Sequence, residues 1–255
     1  MSAKQIYQHY AEQERPFVKM VVSSLKDVTH NQKVKRFDFL TKREQDIVIS
    51  IIGTQTNLAA GGGFTEAERM RMTLSPFALS KEEKDITILE VSWNPKFAAL
   101  RHPDILGALL SLGIERKLIG DIRCTKKTAQ IAVCDRIADF IVGELKVIAR
   151  ASVCIEKSKT TEIEQVEEVE QFTLLTKSLR LDIVLSQLLH ASRSHIQNLL
   201  SKDIVQINWK LVHSGAIQLN VADILSIRRA GRFELKEIMA TKNNTKYKIS
   251  IEKKI

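Results

Sequence analysis

The stretch Leu179-Arg180-Leu181-Asp182, followed by Ser192-Arg193-Ser194-His195-Ile196-Gln197-Asn198-Leu199-Leu200-Ser201-Lys202, decides the fold of the last third of the chain. Leu181, Val184, Leu185 and Leu188 recur at i, i+3, i+4 and i+7, which buries one stripe of a first helix. Ser192 stands where an N-cap is needed for a second helix, whose inward side is Ile196, Leu199 and Leu200. Beyond lie Val205-Gln206-Ile207-Asn208 and Ala222-Asp223-Ile224-Leu225-Ser226-Ile227-Arg228-Arg229-Ala230-Gly231-Arg232. The order is helix, capped helix, short strand, turn, and a strand with a basic exit.

With the apolar side of the second helix turned inward, Arg193, Gln197, Asn198 and Lys202 share the outer side, because residues four apart are neighbours on a helix. A helix start offers free amide groups and a positive dipole end, where phosphate is favoured. The Ser192 and Ser194 hydroxyls and the Arg193 guanidinium add directional donors. Arg228, Arg229 and Arg232 form a second basic element suited to phosphate forks, and Lys210 follows the turn at Asn208. Each residue also has a plain reading: Ser192 is first a cap, Asn198 a solvated amide, and Lys202 a helix-end charge.

These segments resemble the S-four domain, the small RNA-binding module named after small-subunit ribosomal protein four. The resemblance implies a docking surface for helical RNA, gripped mostly through its backbone, with no chemistry of its own. Carried over by position, the RNA-binding candidates are Arg180, Ser192, Arg193, Ser194, Gln197, Asn198, Lys202, Asn208, Lys210, Arg228, Arg229 and Arg232. The family pattern has glycine at three places where this chain has Asp203, Trp209 (after Asn208) and Ala222. Each loses a residue that would ease a positive φ. Asp203 tolerates that conformation, and Trp209 becomes a candidate exposed contact.

Bulk properties agree. The 255 residues carry a net charge of +9, unevenly spread. Residues 178–255 hold 13 Lys and Arg against 6 Asp and Glu, or +7, while residues 1–177 hold 26 against 24. A basic tail on a near-neutral body points to a polyanionic partner. The sequence shows no export signal and no apolar run of membrane-spanning length, so a cytoplasmic protein without membrane contact is expected. Cys124, Cys134 and Cys154 lie singly in apolar segments, which predicts reduced thiols and neither zinc nor disulfides.

Four stretches separate on pattern, and together they predict an α+β protein. Residues 1–80 read as a mainly helical domain, with the capping box Thr41-Lys42-Arg43-Glu44 opening an apolar run from Ile47 to Ile52. After Gly61-Gly62-Gly63, the piece bearing Glu66, Glu68, Arg69 and Arg71 fits a helix or a hairpin. Residues 81–157 read β-α-β-β-α-β, a ferredoxin-like unit shared with RNA-recognition (RRM) domains. Its third strand, Ala129-Gln130-Ile131-Ala132-Val133-Cys134, lacks the aromatic rings on which such sheets stack bases. Trp93 is expected past the end of the first strand, as a packing residue. Residues 158–178, with Glu162, Glu164, Glu167, Glu168 and Glu170, read as an acidic linker or edge strand. Residues 179–255 are the S-four domain with a C-terminal β extension.

The whole chain is similar to the YlmH family of bacterial RNA-binding proteins. The resemblance rests on the domain order, on the segment from His102 to Arg116 with Ile119-Gly120-Asp121-Ile122, on Phe39-Leu40-Thr41-Lys42-Arg43-Glu44-Gln45, and on Ala67-Glu68-Arg69. It implies a ribosome-associated factor binding rRNA or tRNA on the large subunit during rescue of stalled nascent chains. Further partners would be quality-control or cell-division proteins, and the alternative is a division-linked adaptor with secondary RNA binding. Enzymes are disfavoured. Arg180-Leu181-Asp182 matches the letters of a pseudouridine synthase motif but opens a docking helix, with no catalytic domain after it. Gly61-Gly62-Gly63 lacks the flanking pattern of a methyltransferase cofactor loop. No nucleophile set, metal-spaced cluster or phosphate loop is present, so no cofactor is expected.

Overall fold

The chain was described from a computed structural model over residues 8–79, 85–96, 98–158, 169–241 and 245–254. It divides into two compact units, Met1–Val166 and Glu167–Ile255.

The first unit opens with helix α1 (Arg15–Asn31), which has Pro16 in its first turn and ends where Gln32 turns left-handed at φ 53°. Strand β1 (Lys35–Arg36) leads to α2 (Lys42–Ile52), whose start is the capping box read from sequence. There the Thr41 amide donates to Glu44 at 2.7 Å, and the Glu44 amide donates back to the Thr41 hydroxyl at 3.4 Å. Strands β2 (Asn57–Gly61) and β3 (Arg71–Ser75) complete a sheet of order β1-β3-β2. Val21, Val28, Val48, Ile52, Met72 and Leu74 form the core between helices and sheet. The two helices make up most of the regular structure before residue 80, and the piece after the glycine turn leads into β3, which pairs antiparallel with β2. Every residue of β3 is buried, which removes the alternation that marks a half-exposed strand.

The middle of this unit contains β4 (Ile86–Trp93), α3 (His102–Ser111), β5 (Ile119–Cys124), β6 (Thr128–Cys134), α4 (Asp135–Glu144), β7 (Val147–Ile148) and β8 (Ala151–Lys157). The sheet order is β5-β6-β4-β8-β7, with every pair antiparallel. Without the short β7, this is the ferredoxin-like order. One sheet face, with Leu89, Val91, Ile131, Val133, Val153 and Ile155, packs with Ile105 and Leu109 of α3 and Ile141 of α4. Trp93 is the buried last residue of β4 and does not lie beyond it, because the strand continues in register to Val153.

The opposite face is closed by the N-terminal segments. Phe39, Phe64 and Ala67 cluster with Ala132 and Cys134, and Ile86 and Ile88 pack alongside. Contact is close enough that a Cβ on Gly120 would stand 2.5 Å from the Phe39 ring. The Asp121 carboxylate accepts the Glu68 and Arg69 amides at 2.6 and 3.1 Å, and Arg69 donates to the Phe39 carbonyl at 2.9 Å. Buried Gln45 donates to the Leu40 and Glu68 carbonyls. Of the segments on which the YlmH resemblance rests, 39–45, 67–69 and 119–122 therefore join the two halves of this unit, while α3 packs on the other sheet face.

The second unit contains β9 (Val169–Thr176), α5 (Leu181–Leu188), α6 (Arg193–Ser201), β10 (Val205–Ile207), β11 (Lys210–Leu211), β12 (Ile224–Ile227), β13 (Gly231–Ala240) and β14 (Tyr247–Lys254). Its sheet runs β11-β10-β12-β13-β14-β9. Residues 169–176 of the expected linker are thus an edge strand, with Phe172 and Leu174 turned toward the core. Glu162, Glu164, Glu167 and Glu168 lie outside the described residues. Leu181, Val184, Leu185, Ile196 and Leu200 are fully buried against Val205, Leu225, Leu235, Ile249 and Ile251. Each such side chain contributes about 1.5–3 kcal/mol when buried.

Candidate RNA interface

Ser192 adopts the extended N-cap conformation (φ −69°, ψ 155°), and its hydroxyl accepts the His195 amide at 3.2 Å. The Ser194 hydroxyl lies 2.9 Å from it. Because Ile196 and Leu200 hold the helix to the core, Arg193, Ser194, Gln197 and Asn198 are exposed along one side of α6.

A second helix start borders this side. Arg180 occupies the N-cap position of α5, and its guanidinium grips Asp182 with two hydrogen bonds, Nε to Oδ1 at 3.1 Å and an Nη to Oδ2 at 2.9 Å. This bond, with smaller help from the Arg193 charge, holds the Asp182 carboxyl below its ordinary range. The segment after β11 passes close by: the Gly215 carbonyl accepts the Asp182 amide at 3.0 Å. A Cβ on Gly215 would lie 2.7 Å from the Asp182 Cβ and 3.1 Å from the Gln197 amide nitrogen. Asp182 is thereby paired with Arg180 and, with Gly215 between them, stands beside Gln197. This placement, and the part of Gly215 in it, carried no sequence signal, since the loop meets the helices only in the folded chain.

The other candidates fall into two further groups. Lys202 ends α6, and the Arg228 amide donates to the Ile204 carbonyl at 3.1 Å, so the Arg228-Arg229 turn stands at the same end of β10. Both arginines are exposed, while Arg232 is half-buried on β13 opposite Ser226. Asn208 and Lys210 lie at the other end of β10, about 10 Å away along a three-residue strand. Lys210 is exposed. The Asn208 side chain donates to Asp223 at 2.8 Å and accepts the Ile224 amide at 2.9 Å, which commits it to the turn. The Arg228-Arg229 turn and the Asn208-Lys210 turn are therefore separate groups, with β10 between them. Trp209, half-buried, forms a two-residue hairpin turn with Asn208, both left-handed at φ 63° and 47°.

The middle sheet offers no stacking platform at the covered strands. Besides lacking rings in β6, its exposed-face positions there are occupied by Phe39 and Phe64 from the same unit. Among the described residues, no group of three or more His, Cys, Asp or Glu side chains could hold a metal ion. Burial raises the Cys124 thiol to about 11 and also lifts that of Cys134, so neither is a ready thiolate. No helix among the described residues is long and apolar enough to cross a membrane.

A pair of short helices, the second capped by Ser192, presenting arginine and amide side chains and backed by an antiparallel sheet, defines the class of S4-domain RNA-binding proteins. Residues 179–225 match the S4 domain family, the same module as the S-four domain, and residues 80–162 match a family described as "Putative RNA-binding domain in YlmH". Arg228, Arg229 and Arg232 fall beyond the S4 match. The chain is 32% identical over 252 residues to the ribosome-associated protein quality control protein P2 of Bacillus subtilis (strain 168), covering 97% of this chain and 98% of that protein. A solved structure described as cell division protein ylmH from Streptococcus pneumoniae is 29% identical, with a TM-score of 0.51 over 60% of this chain and 94% of its own. The chain belongs to the YlmH family.

Proposed function

We propose that this protein is a non-enzymatic RNA-binding factor that docks on structured RNA of the large ribosomal subunit, rRNA or tRNA or both, during rescue of stalled translation in the cytoplasm. The observation that carries this reading is the exposed side of α6, where Arg193, Gln197 and the capped helix start converge beside Arg180. The Bacillus relative, described as ribosome-associated and acting in quality control, supports the ribosomal partner. The bidentate Arg180 clamp on Asp182 supports a docking role, because it occupies the carboxylate that a catalytic reading of Arg180-Leu181-Asp182 would need.

Arg193→Ala combined with Arg229→Ala is expected to abolish cosedimentation with purified large subunits, and unchanged cosedimentation would overturn the proposal. Affinity should also fall steeply with salt, as phosphate neutralisation requires. The description of the Streptococcus relative as a cell division protein favours a second reading, a protein adaptor with secondary RNA binding. Partners that copurify equally before and after nuclease treatment would select that reading.

A further inference from the structure

The S4 domain does not account for a second basic stripe, three permanent cations and a histidine on α1 of the first unit. Arg15, Lys19, Lys26 and His30 fall at i, i+4, i+11 and i+15, within an arc of about 60° and along about 22 Å of helix. All four are exposed, as is Ser23 among them. Val18, Val21 and Val28 are buried on the other side, so packing fixes the basic stripe outward.

Neighbouring carboxylates leave most of that charge uncompensated. Asp27, the one acidic residue of α1, borders the stripe beside His30 but is held by Lys35 at 2.6 Å and by Asn31 at 3.1 Å. Glu14 is committed to Arg43 through two bonds of 2.7 and 3.0 Å. Glu12 approaches Arg15 to 3.9 Å, and both are largely exposed, which makes that pair weak. Lys19 and Lys26 meet no carboxylate among the described residues.

We propose that this α1 stripe is a second contact for the backbone of the RNA that the S4 domain binds. The inference rests on the function proposed above. Three cations along about 16 Å of helix, with the His30 imidazole one turn further on, suit a line of phosphates, and the lack of aromatic or amide side chains among them fits contact without sequence readout. Linking two weak electrostatic contacts in one chain raises the effective concentration of the second, so α1 adds affinity without needing a strong site of its own.

The test uses the full chain, fluorescently labelled, titrated with purified large ribosomal subunits over a range of salt. Arg15→Gln, Lys19→Gln and Lys26→Gln together remove the permanent charges while keeping helix propensity; far-ultraviolet circular dichroism verifies the fold. Log affinity against log salt should become shallower by roughly 0.9 per lost phosphate contact, so between about 50 and about 200 mM salt the wild type should lose roughly 40-fold more affinity than the variant. The charge-preserving Arg15→Lys, Lys19→Arg, Lys26→Arg variant should behave as wild type. An unchanged slope and affinity, alongside lost binding in the Arg193→Ala, Arg229→Ala protein, overturns the α1 contact and leaves the S4 reading standing. Weaker binding with an unchanged slope assigns α1 to a protein partner and also overturns it. If the S4 variant too binds normally, the function proposed above fails, and the α1 contact fails with it.

Discussion

Asp203, Trp209 and Ala222, which stand where the S-four pattern has glycine, have φ of 56°, 63° and 70°. The backbone keeps its left-handed turns at each place, so the fold imposes the conformation whatever residue occupies it. A left-handed non-glycine residue costs about 1–2 kcal/mol, and Ala222 has no polar side chain to offset it. Ala222→Gly is therefore expected to raise stability by up to about 1 kcal/mol after the entropy of glycine is subtracted, read as a higher urea midpoint at constant slope. The Arg180–Asp182 pair adds a pH dependence. Because the folded carboxyl titrates below its unfolded value, its contribution is complete above the unfolded pKa of about 3.9 and is lost as pH falls through the folded value. The stability gap between wild type and Asp182→Asn should thus narrow as urea unfolding is repeated from about pH 5 to below about pH 4; a gap that stays constant would mean the carboxylate charge does not matter.

Helix α6 was readable because cap, apolar spacing and outward polar residues agree. Its start has two roles that one pair of substitutions can separate. Ser192→Ala removes the cap and should cost about 1 kcal/mol. Ser192→Asp keeps a cap but places negative charge where phosphate is proposed to dock. Stability near wild type with at least several-fold weaker binding to large subunits is the expected result; unimpaired binding would remove phosphate from this helix start. Strands β3 and β9 were harder to read. The first is buried throughout and shows no alternation, and in the second Phe172 and Leu174 do alternate but follow an acidic run that resembles a linker. Pairing with β14 decides β9, and β14 is about 70 residues further along the chain.

Across the whole molecule, the central finding is that the N-terminal segments cover the sheet face that an RNA-recognition domain would use. Phe39 is 1% exposed and fills this contact. Phe39→Ala should destabilise the first unit by about 3–5 kcal/mol, while the second unit, with a separate core, keeps its own unfolding transition. Differential scanning calorimetry checks this: one transition shifts and the other stays. The amino-acid sequence by itself determined the order of elements in the middle and last domains, the caps and buried stripes of the helices, and the basic bias of the C-terminal third, because these depend on residues close together along the chain. Only the tertiary structure decided that Gly215 sets the Arg180–Asp182 pair beside Gln197, that β10 separates the Arg228-Arg229 turn from Asn208 and Lys210, that residues 57–61 and 71–75 pair as strands, and that Phe39 and Phe64 close the middle sheet. Each of those arises from contacts between residues distant in sequence, which local periodicity does not encode.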